Sequence, residues 1–440
     1  MKVILDPVPA AQTICAQQKK SENSTYRRTK LCVETDCPEG TLLFHTLTGM
    51  LLLLENQQDA DNCRDELIQN WFLVPEDFDE ASYADKFFSI FKMLNAGKNN
   101  RKNKTTFTIF TTTDCNARCY YCYQVGARRC SMSADTARAV ADYIIRVSGG
   151  EEVQLYWFGG EPLVNSAVID SICERLRTNG VSYKSVMTTN GYYLDQSVME
   201  KAVGLWNLQK VQVTLDGTSE VYNRVKAYTN GGDAYARVLQ NIENARSAGI
   251  EVHIRLNVSS DNIPELTRLA DELAVRFPEK AGLSVYASFL GDFKGRTEHF
   301  NGDTYDADSY LKLKEKLKAT GLDHISPLKR NLKKNGCKAD NDACEVILPD
   351  GRLCKCEHEL ENECYGSVFT DERDLERLNS WKEQVKLPEC FHCPLYARCF
   401  NLKKCAWVNK NCSKTIQKIR ISTLQEQVLD TYNKWKENAQ

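Results

Sequence analysis

Three cysteines follow an apolar run as Cys115-Asn-Ala-Arg-Cys119-Tyr-Tyr-Cys122, a C-x3-C-x2-C spacing. Thiolates this close in sequence can wrap one face of a 4Fe–4S cubane and hold three of its irons, leaving the fourth iron open. An open coordination position is where a metal centre does chemistry on a cofactor or substrate. Completion by a distant cysteine such as Cys130 would instead give a closed electron-transfer cluster. A second concentration lies toward the other end: of 19 cysteines, 10 fall between Cys337 and Cys412. One group there is Cys337, Cys344 and Cys356, with Gly351 in a Pro-Asp-Gly turn. The other is Cys390-x2-Cys393-x5-Cys399, then Cys405 and Cys412, while Cys354 and Cys364 stand outside both patterns. Such density in a small secreted domain means disulfides. In 440 residues whose start, Met1–Pro9, lacks a basic stretch followed by a long apolar one, metal is the expectation. A zinc ribbon on Cys390, Cys393, Cys399 and Cys405 is the alternative, because Cys-x2-Cys pairs suit zinc.

Polar residues recur where apolar, β-rich runs end. Phe158-Gly159-Gly160-Glu161-Pro162 offers two glycines that let backbone approach a ligand and a carboxylate able to pair with an ammonium group. Thr188-Thr-Asn190-Gly191, Thr214-Leu-Asp216-Gly217 and Arg255-Leu-Asn257 follow in order. Glu357 directly follows Cys356, and a carboxylate beside a cluster can act as a general base.

The elements that must carry these residues alternate. Strands are expected at Phe107–Thr111, Val153–Phe158, Ser185–Thr189, Lys210–Leu215, Glu251–Val258 and Leu283–Phe289, with helices between them. Six strands with intervening helices argue for an α/β parallel sheet, curved or closed, with helices outside and chemistry at the strands' C-terminal ends. Residues 105–320 form this core. Before it, residues 1–97 read as a small α+β unit of winged-helix size, and 98–104 as a basic, Asn-rich linker. After it, 321–415 is cysteine-rich and poor in regular pattern, so ligands are expected to organise it. Residues 416–440 belong to a closing amphipathic helix with Ile419, Leu424, Val428, Tyr432 and Trp435 on its apolar side.

The Cys115–Cys122 motif, together with Gly159–Pro162 and the later polar positions, resembles the radical S-adenosylmethionine (SAM) superfamily. The resemblance implies a partial (β/α)6 TIM-like barrel. It implies SAM on the open iron of a 4Fe–4S cluster, cleaved to a 5′-deoxyadenosyl radical. It further implies that Gly159, Gly160 and Glu161 meet the methionine amine of SAM. Asn190, Thr214, Asp216, Arg255 and Asn257 would handle its ribose and carboxylate, and Tyr121 would lie beside the adenine. The C-terminal cysteines resemble the SPASM extension of peptide maturases, which holds two auxiliary 4Fe–4S clusters. Carried over, one cluster takes Cys337, Cys344, Cys356 and Cys405, and the other takes Cys390, Cys393, Cys399 and Cys412. Cys399 and Cys405 enclose five residues where the family usually has three, which leaves each fourth ligand open. An acidic residue in the place of Glu357 takes a substrate proton in sulfatase-maturing relatives.

The leading segment resembles the peptide-recognition modules of such maturases, where an exposed strand edge beside a helix can take a peptide by strand addition. The function implied is maturation of a ribosomally made precursor peptide bearing a leader. The reaction would be thioether or carbon–carbon cross-linking, with a flavodoxin or ferredoxin as reductant. A sulfatase-maturing, formylglycine-generating enzyme is the alternative; a scaffold or redox relay without SAM chemistry fits poorly with the intact motifs. A net charge of -2 gives no basic field for nucleic acid, and no run of 18 apolar residues predicts a membrane span, so a cytoplasmic protein is expected.

Overall fold

The computed structural model describes residues 1–9, 11, 25–56, 61–96, 103–259, 261–290, 306–323, 325–333, 335–358, 362–399, 402–405, 412 and 414–439. The expected linker 98–104 lies largely outside them.

The N-terminal unit contributes β1 (Lys2–Leu5), β2 (Tyr26–Arg28), β3 (Cys32–Cys37), β4 (Gly40–His45), β5 (Leu51–Leu54), α1 (Arg64–Gln69), β6 (Leu73–Pro75) and α2 (Glu80–Ala96). Its sheet runs β1-β5-β4-β3, all antiparallel, and β2 pairs with β6 as a separate ribbon. Apolar residues alternate along β4 and β5, so the sheet has two apolar faces. Leu43, Leu52 and Leu54 face Leu67 and Phe72. Leu42, Phe44, Leu51 and Leu53 face Leu424, Val428 and Tyr432 of the last helix.

The core contains β7 (Thr106–Phe110), α3 (Ala134–Ser148), β8 (Val153–Phe158), α4 (Ser166–Thr178), β9 (Tyr183–Thr189), α5 (Gln196–Gly204) and β10 (Leu208–Leu215). It continues with α6 (Ser219–Lys226), α7 (Ala234–Ser247), β11 (Glu251–Val258), α8 (Ile263–Arg276), β12 (Leu283–Phe289) and α9 (Ala307–Ala319). The six strands β7 to β12 pair side by side, parallel and in sequence order. Such an arrangement is an α/β sheet consistent with a partial TIM-like barrel. One side of each strand (Leu155, Trp157, Val211, Val213, Ile254) enters a large apolar core shared with the helices.

The sheet does not stop at β7. After α9 come β13 (Cys344–Ile347), β14 (Arg352–Cys354), β15 (Gly366–Ser367), α10 (Leu375–Ser380) and α11 (Lys414–Ala439). β13 lies parallel to β7 in the register Cys344↔Thr106 to Ile347↔Ile109, and β14 and β15 add antiparallel, giving nine strands. The C-terminal region, expected to be largely irregular, is thus built onto the core sheet through its first cysteines. Helix α11 buries Ile419, Leu424, Val428 and Tyr432 as its pattern predicts. The N-terminal unit joins this C-terminal half: Thr46 Oγ1 donates to Pro394 O at 2.6 Å, and Tyr396 OH to Asp85 Oδ2 at 2.7 Å. Among the described residues no helix is long and apolar enough to cross a membrane.

Candidate functional site

The loop leaving β7 is fixed from three directions before it presents its cysteines. On one side the turn after β8 extends the strand pairing: Gly160 N–H donates to Thr112 O and Glu161 N–H to Asp114 O, both at 2.9 Å. A Cβ on Gly159, whose φ is +146°, would stand 2.3 Å from Thr112 O, and one on Gly160 2.1 Å from Asp114 O. Without side chains, both positions let the neighbouring loop come this close. On the opposite side Arg118 N–H donates to Lys226 O and Thr229 N–H to Asn116 O, both at 2.8 Å. From β9, Asn190 Nδ2 donates to Asn116 Oδ1 at 2.7 Å and lies 3.7 Å from Cys115 Sγ. Burial is the main cause pushing the Cys115 thiol up to about 12, with the charges of Glu161, Cys119 and Cys122 adding to it. Three thiols crowded this way favour a shared cationic partner over three free thiolates.

Glu161 is fully buried and ties two loops together. Its carboxylate accepts from Leu163 N–H at 3.1 Å, Thr189 Oγ1 at 2.8 Å and Asn190 N–H at 2.7 Å. Burial raises its pKa to about 7 despite those donors. These donors tie the carboxylate to the turn that carries Asn190.

Beyond the loop lies a buried polar network. Asp216, at the end of β10, takes Tyr121 OH at 2.8 Å, Asn257 Nδ2 at 2.8 Å and Lys226 Nζ at 2.9 Å. Lys226 also reaches Tyr121 OH at 2.9 Å and Thr214 Oγ1 at 2.6 Å. Burial, the largest single influence, would lower the Lys226 pKa, but Asp216, Tyr121, Cys119 and Tyr222 together outweigh it and hold the ammonium charged. Tyr121, Thr214, Asp216 and Asn257, named from sequence as separate positions, therefore form one cluster. Lys226 at its centre was not legible: it closes the eight-residue helix α6, where a lysine reads as a solvated complement to the helix dipole. Arg255, two residues before Asn257, does not join the network, and its buried Nε has no partner among the described residues. Asn116 Nδ2 and Gln124 Oε1 are likewise buried without partners among the described residues.

In the C-terminal region Cys337 and Cys356 lie within electrostatic reach of each other and of Cys405. Cys344 shares the neighbouring Lys338 with Cys337. Cys399 and Cys412 lie within reach of Cys390 and Cys393 and of one another, and Arg420 Nη1 is 3.6 Å from Cys399 Sγ. Glu357 influences Cys337, Cys356 and Tyr123. The Tyr123 and His358 rings meet edge to face at 4.6 Å, joining the first cysteine loop to the segment after Cys356. Among the described residues no three His, Cys, Asp or Glu side chains close to the spacing of a single metal ion.

Residues 109–273 match the sequence profile of the Radical SAM superfamily. This core is a radical SAM domain. The resident cofactors of that superfamily, a 4Fe–4S cluster and SAM, suit the residues present. The domain offers three thiols within electrostatic reach of one another and three buried polar atoms, on Asn116, Gln124 and Arg255, that lack partners among the described residues. Among curated proteins, one of uncharacterized function from Methanocaldococcus jannaschii is 24% identical over 66% of this chain and 94% of its own length. GTP 3′,8-cyclase of Peptoclostridium acidaminophilum is 30% identical over 39% of this chain, which spans about half (54%) of that enzyme. Among solved structures, anSMEcpe with bound AdoMet and Kp18Cys peptide superposes with a TM-score of 0.59 at 17% identity, covering 75% of this chain and 99% of that one. Streptococcus suis SuiB bound to precursor peptide SuiA does so with 0.53 at 13% identity, covering 91% and 100%. At these identities the likeness concerns the fold, and it places the radical SAM domain in the architecture expected from the sequence.

Proposed function

We propose that this chain is a radical SAM maturase that modifies a ribosomally made precursor peptide by forming an intramolecular thioether or carbon–carbon cross-link. The observation that carries the reading is the edge-to-face contact of the Tyr123 and His358 rings at 4.6 Å, which brings the segment after Cys356 against the Cys115–Cys122 loop. β13 joins the two regions through the sheet, with Cys344 beside Thr106 at the start of β7 and Cys115 beyond its end. A peptide seated there would meet the Cys115–Cys122 loop on one side and Cys356–Glu357–His358 on the other. The cluster and SAM, when bound, would supply the 5′-deoxyadenosyl radical that removes a hydrogen atom from the substrate. Cys115, Cys119 and Cys122 would hold that cluster, and Asn190, Arg255 and the Tyr121–Asp216–Asn257 network would hold SAM. Gly159, Gly160 and Glu161 would meet the methionine amine of SAM, and Lys226 positions the network. Glu357 would accept the proton that the substrate releases. Cys337, Cys344, Cys356 and Cys405, and Cys390, Cys393, Cys399 and Cys412, are the two auxiliary ligand sets in this reading. The N-terminal unit would hold the leader, and a flavodoxin or ferredoxin would deliver electrons.

The likeness to SuiB bound to its precursor peptide covers more of this chain, 91%, than the likeness to anSMEcpe, 75%. The latter supports the second reading, a sulfatase-maturing enzyme. Anaerobic reaction with SAM, reductant and a candidate precursor peptide, read by mass spectrometry, tests both. Loss of two hydrogens supports cross-linking. Unchanged mass with deuterium uptake from solvent points to epimerisation. Formylglycine in a sulfatase-derived peptide, with no change in any precursor, overturns the first reading in favour of the second.

A further inference from the structure

Cys354 and Cys364 belong to neither auxiliary ligand set, and the fold explains why. Cys354 ends β14 with its side chain fully buried against Phe110, Val346 and Leu348. Cys356, only two residues on, enters a different apolar cluster with Ala339, Trp381, Leu402 and Cys405. The antiparallel pairing Leu353↔Gly366 brings the chain back, and Tyr365 N–H donates to Leu353 O at 2.9 Å. That return seats Cys364 on the Cys354 cluster beside Phe158, half-buried, with the two thiols hydrogen-bonded to each other. Arg377 Nη1 anchors the turn by donating to Cys364 O at 2.6 Å. Two thiols so held, with one side of the pair accessible, have the arrangement of a dithiol that exchanges with disulfides.

We propose that Cys354 and Cys364 form a thiol–disulfide exchange site, separate from the metal-ligand cysteines, that reacts with small-molecule disulfides. Cys364, the more exposed, attacks the disulfide as a thiolate; its sulfur bonds to one half and the other half leaves as a thiolate. Cys354 then gives up its proton and attacks the Cys364 sulfur, releasing the second half. The two protein thiols lose two electrons and two protons, and the disulfide becomes two thiols. The new bond would tie the end of β14, two residues before Cys356, to the turn that leads into β15.

The test is anaerobic incubation of the cluster-loaded enzyme with oxidised glutathione. Samples are then quenched with N-ethylmaleimide, digested with trypsin and analysed by mass spectrometry. The expected product is the 353–355 peptide joined to the 356–373 peptide through Cys364, lighter by two hydrogens and separated again by dithiothreitol. Cys364→Ser should abolish it while iron content stays at the wild-type value. A bond to Cys356, no cross-link at any glutathione disulfide concentration, or loss of about a third of the iron in Cys364→Ser would overturn the proposal. The Cys354→Ser variant repeats the iron measurement in case Cys364→Ser folds poorly. None of these readouts requires SAM cleavage or a peptide substrate, so the result is independent of the proposed function.

Discussion

Cys115, Cys119 and Cys122 hang from a backbone that neighbours fix on three sides, through Thr112, Asp114, Asn116 and Arg118. Cys390, Cys393 and Cys399 sit in short 3₁₀ turns whose bonds are mostly local, such as Cys393 N–H to Cys390 O at 3.0 Å and Arg398 N–H to Leu395 O at 2.9 Å. The first region is a preformed cradle whose shape comes from β-strand ends. The second draws its thiols together from a stretch with little regular structure, the condition in which ligand binding and folding are coupled. The first auxiliary set is intermediate, since Cys344 stands on a strand of the main sheet. A cradle and a ligand-organised segment should respond differently to the loss of their metal.

The largest expected contrast is in iron and chemistry. In the three-cluster reading proposed above, replacing Cys115, Cys119 and Cys122 with Ala should remove about a third of roughly twelve irons and all SAM cleavage, with little change in far-UV circular dichroism. Replacing Cys390, Cys393 and Cys399 should also remove about a third of the iron, but SAM cleavage without substrate should persist while resistance of the C-terminal region to proteolysis falls. SAM cleavage surviving the first change would sink the radical-cluster assignment. Next in size is Lys226→Met. Lys226 and Asp216 are each 3% exposed, and removing one partner of a buried pair costs about 3–5 kcal/mol because the other charge is stranded. The loop clamped by the Lys226 carbonyl should loosen with it. Thermal denaturation and SAM titration should both register the change, whereas unaltered stability would mean the pair is not closed in solution.

What was legible divides along the same line. The strands Val153–Phe158, Glu251–Val258 and Leu283–Phe289 have the limits read from the sequence, because buried apolar residues alternate along each and polar turns bound them. Cys115–Cys122 was legible because a cluster loop compresses its ligands into a few residues. β13 was missed: four residues cannot be distinguished from a loop until the partner, β7, is known from more than two hundred positions earlier. β1 and β6 were missed for the same reason. Helix α6 is too short to show periodicity, and with it Lys226 was lost. The seating of the N-terminal sheet on α11 depends on both ends of the chain, and neither alone names its partner.

A preformed first region should also betray its buried carboxylate. Glu161 has a pKa of about 7 in the native state against an ordinary value of 4.5. Between those values the native protein binds more protons than the unfolded chain, so this group makes stability fall as pH rises from about 4.5 to 7 and adds no further slope above that. The full contribution is about 3 kcal/mol. In cluster-free protein, urea midpoints should therefore drop between pH 5 and 7.5. Glu161→Gln should be less stable overall, having lost the acceptor for Asn190 N–H, but should show a flatter pH profile over that window. A variant with the wild-type slope would assign the pH dependence to other groups.

The smallest effect concerns the contact that joins the two regions. The Tyr123 and His358 rings lie 4.6 Å apart with an interplanar angle of 70°, and such an edge-to-face pair contributes about 0.5–1.5 kcal/mol beyond its buried area. Tyr123→Leu and His358→Ala, combined in a double-mutant cycle, should show a coupling of that size in the cluster-loaded protein. If the segment after Cys356 is ordered by its cluster, the coupling should vanish when iron is removed, because His358 would no longer be held against the cradle. Tyr123 stays on the preformed loop in either state. A coupling that persists without metal would show that the C-terminal segment is as prebuilt as the first region, and the contrast between cradle and ligand-organised segment would then be confined to Cys390–Cys412.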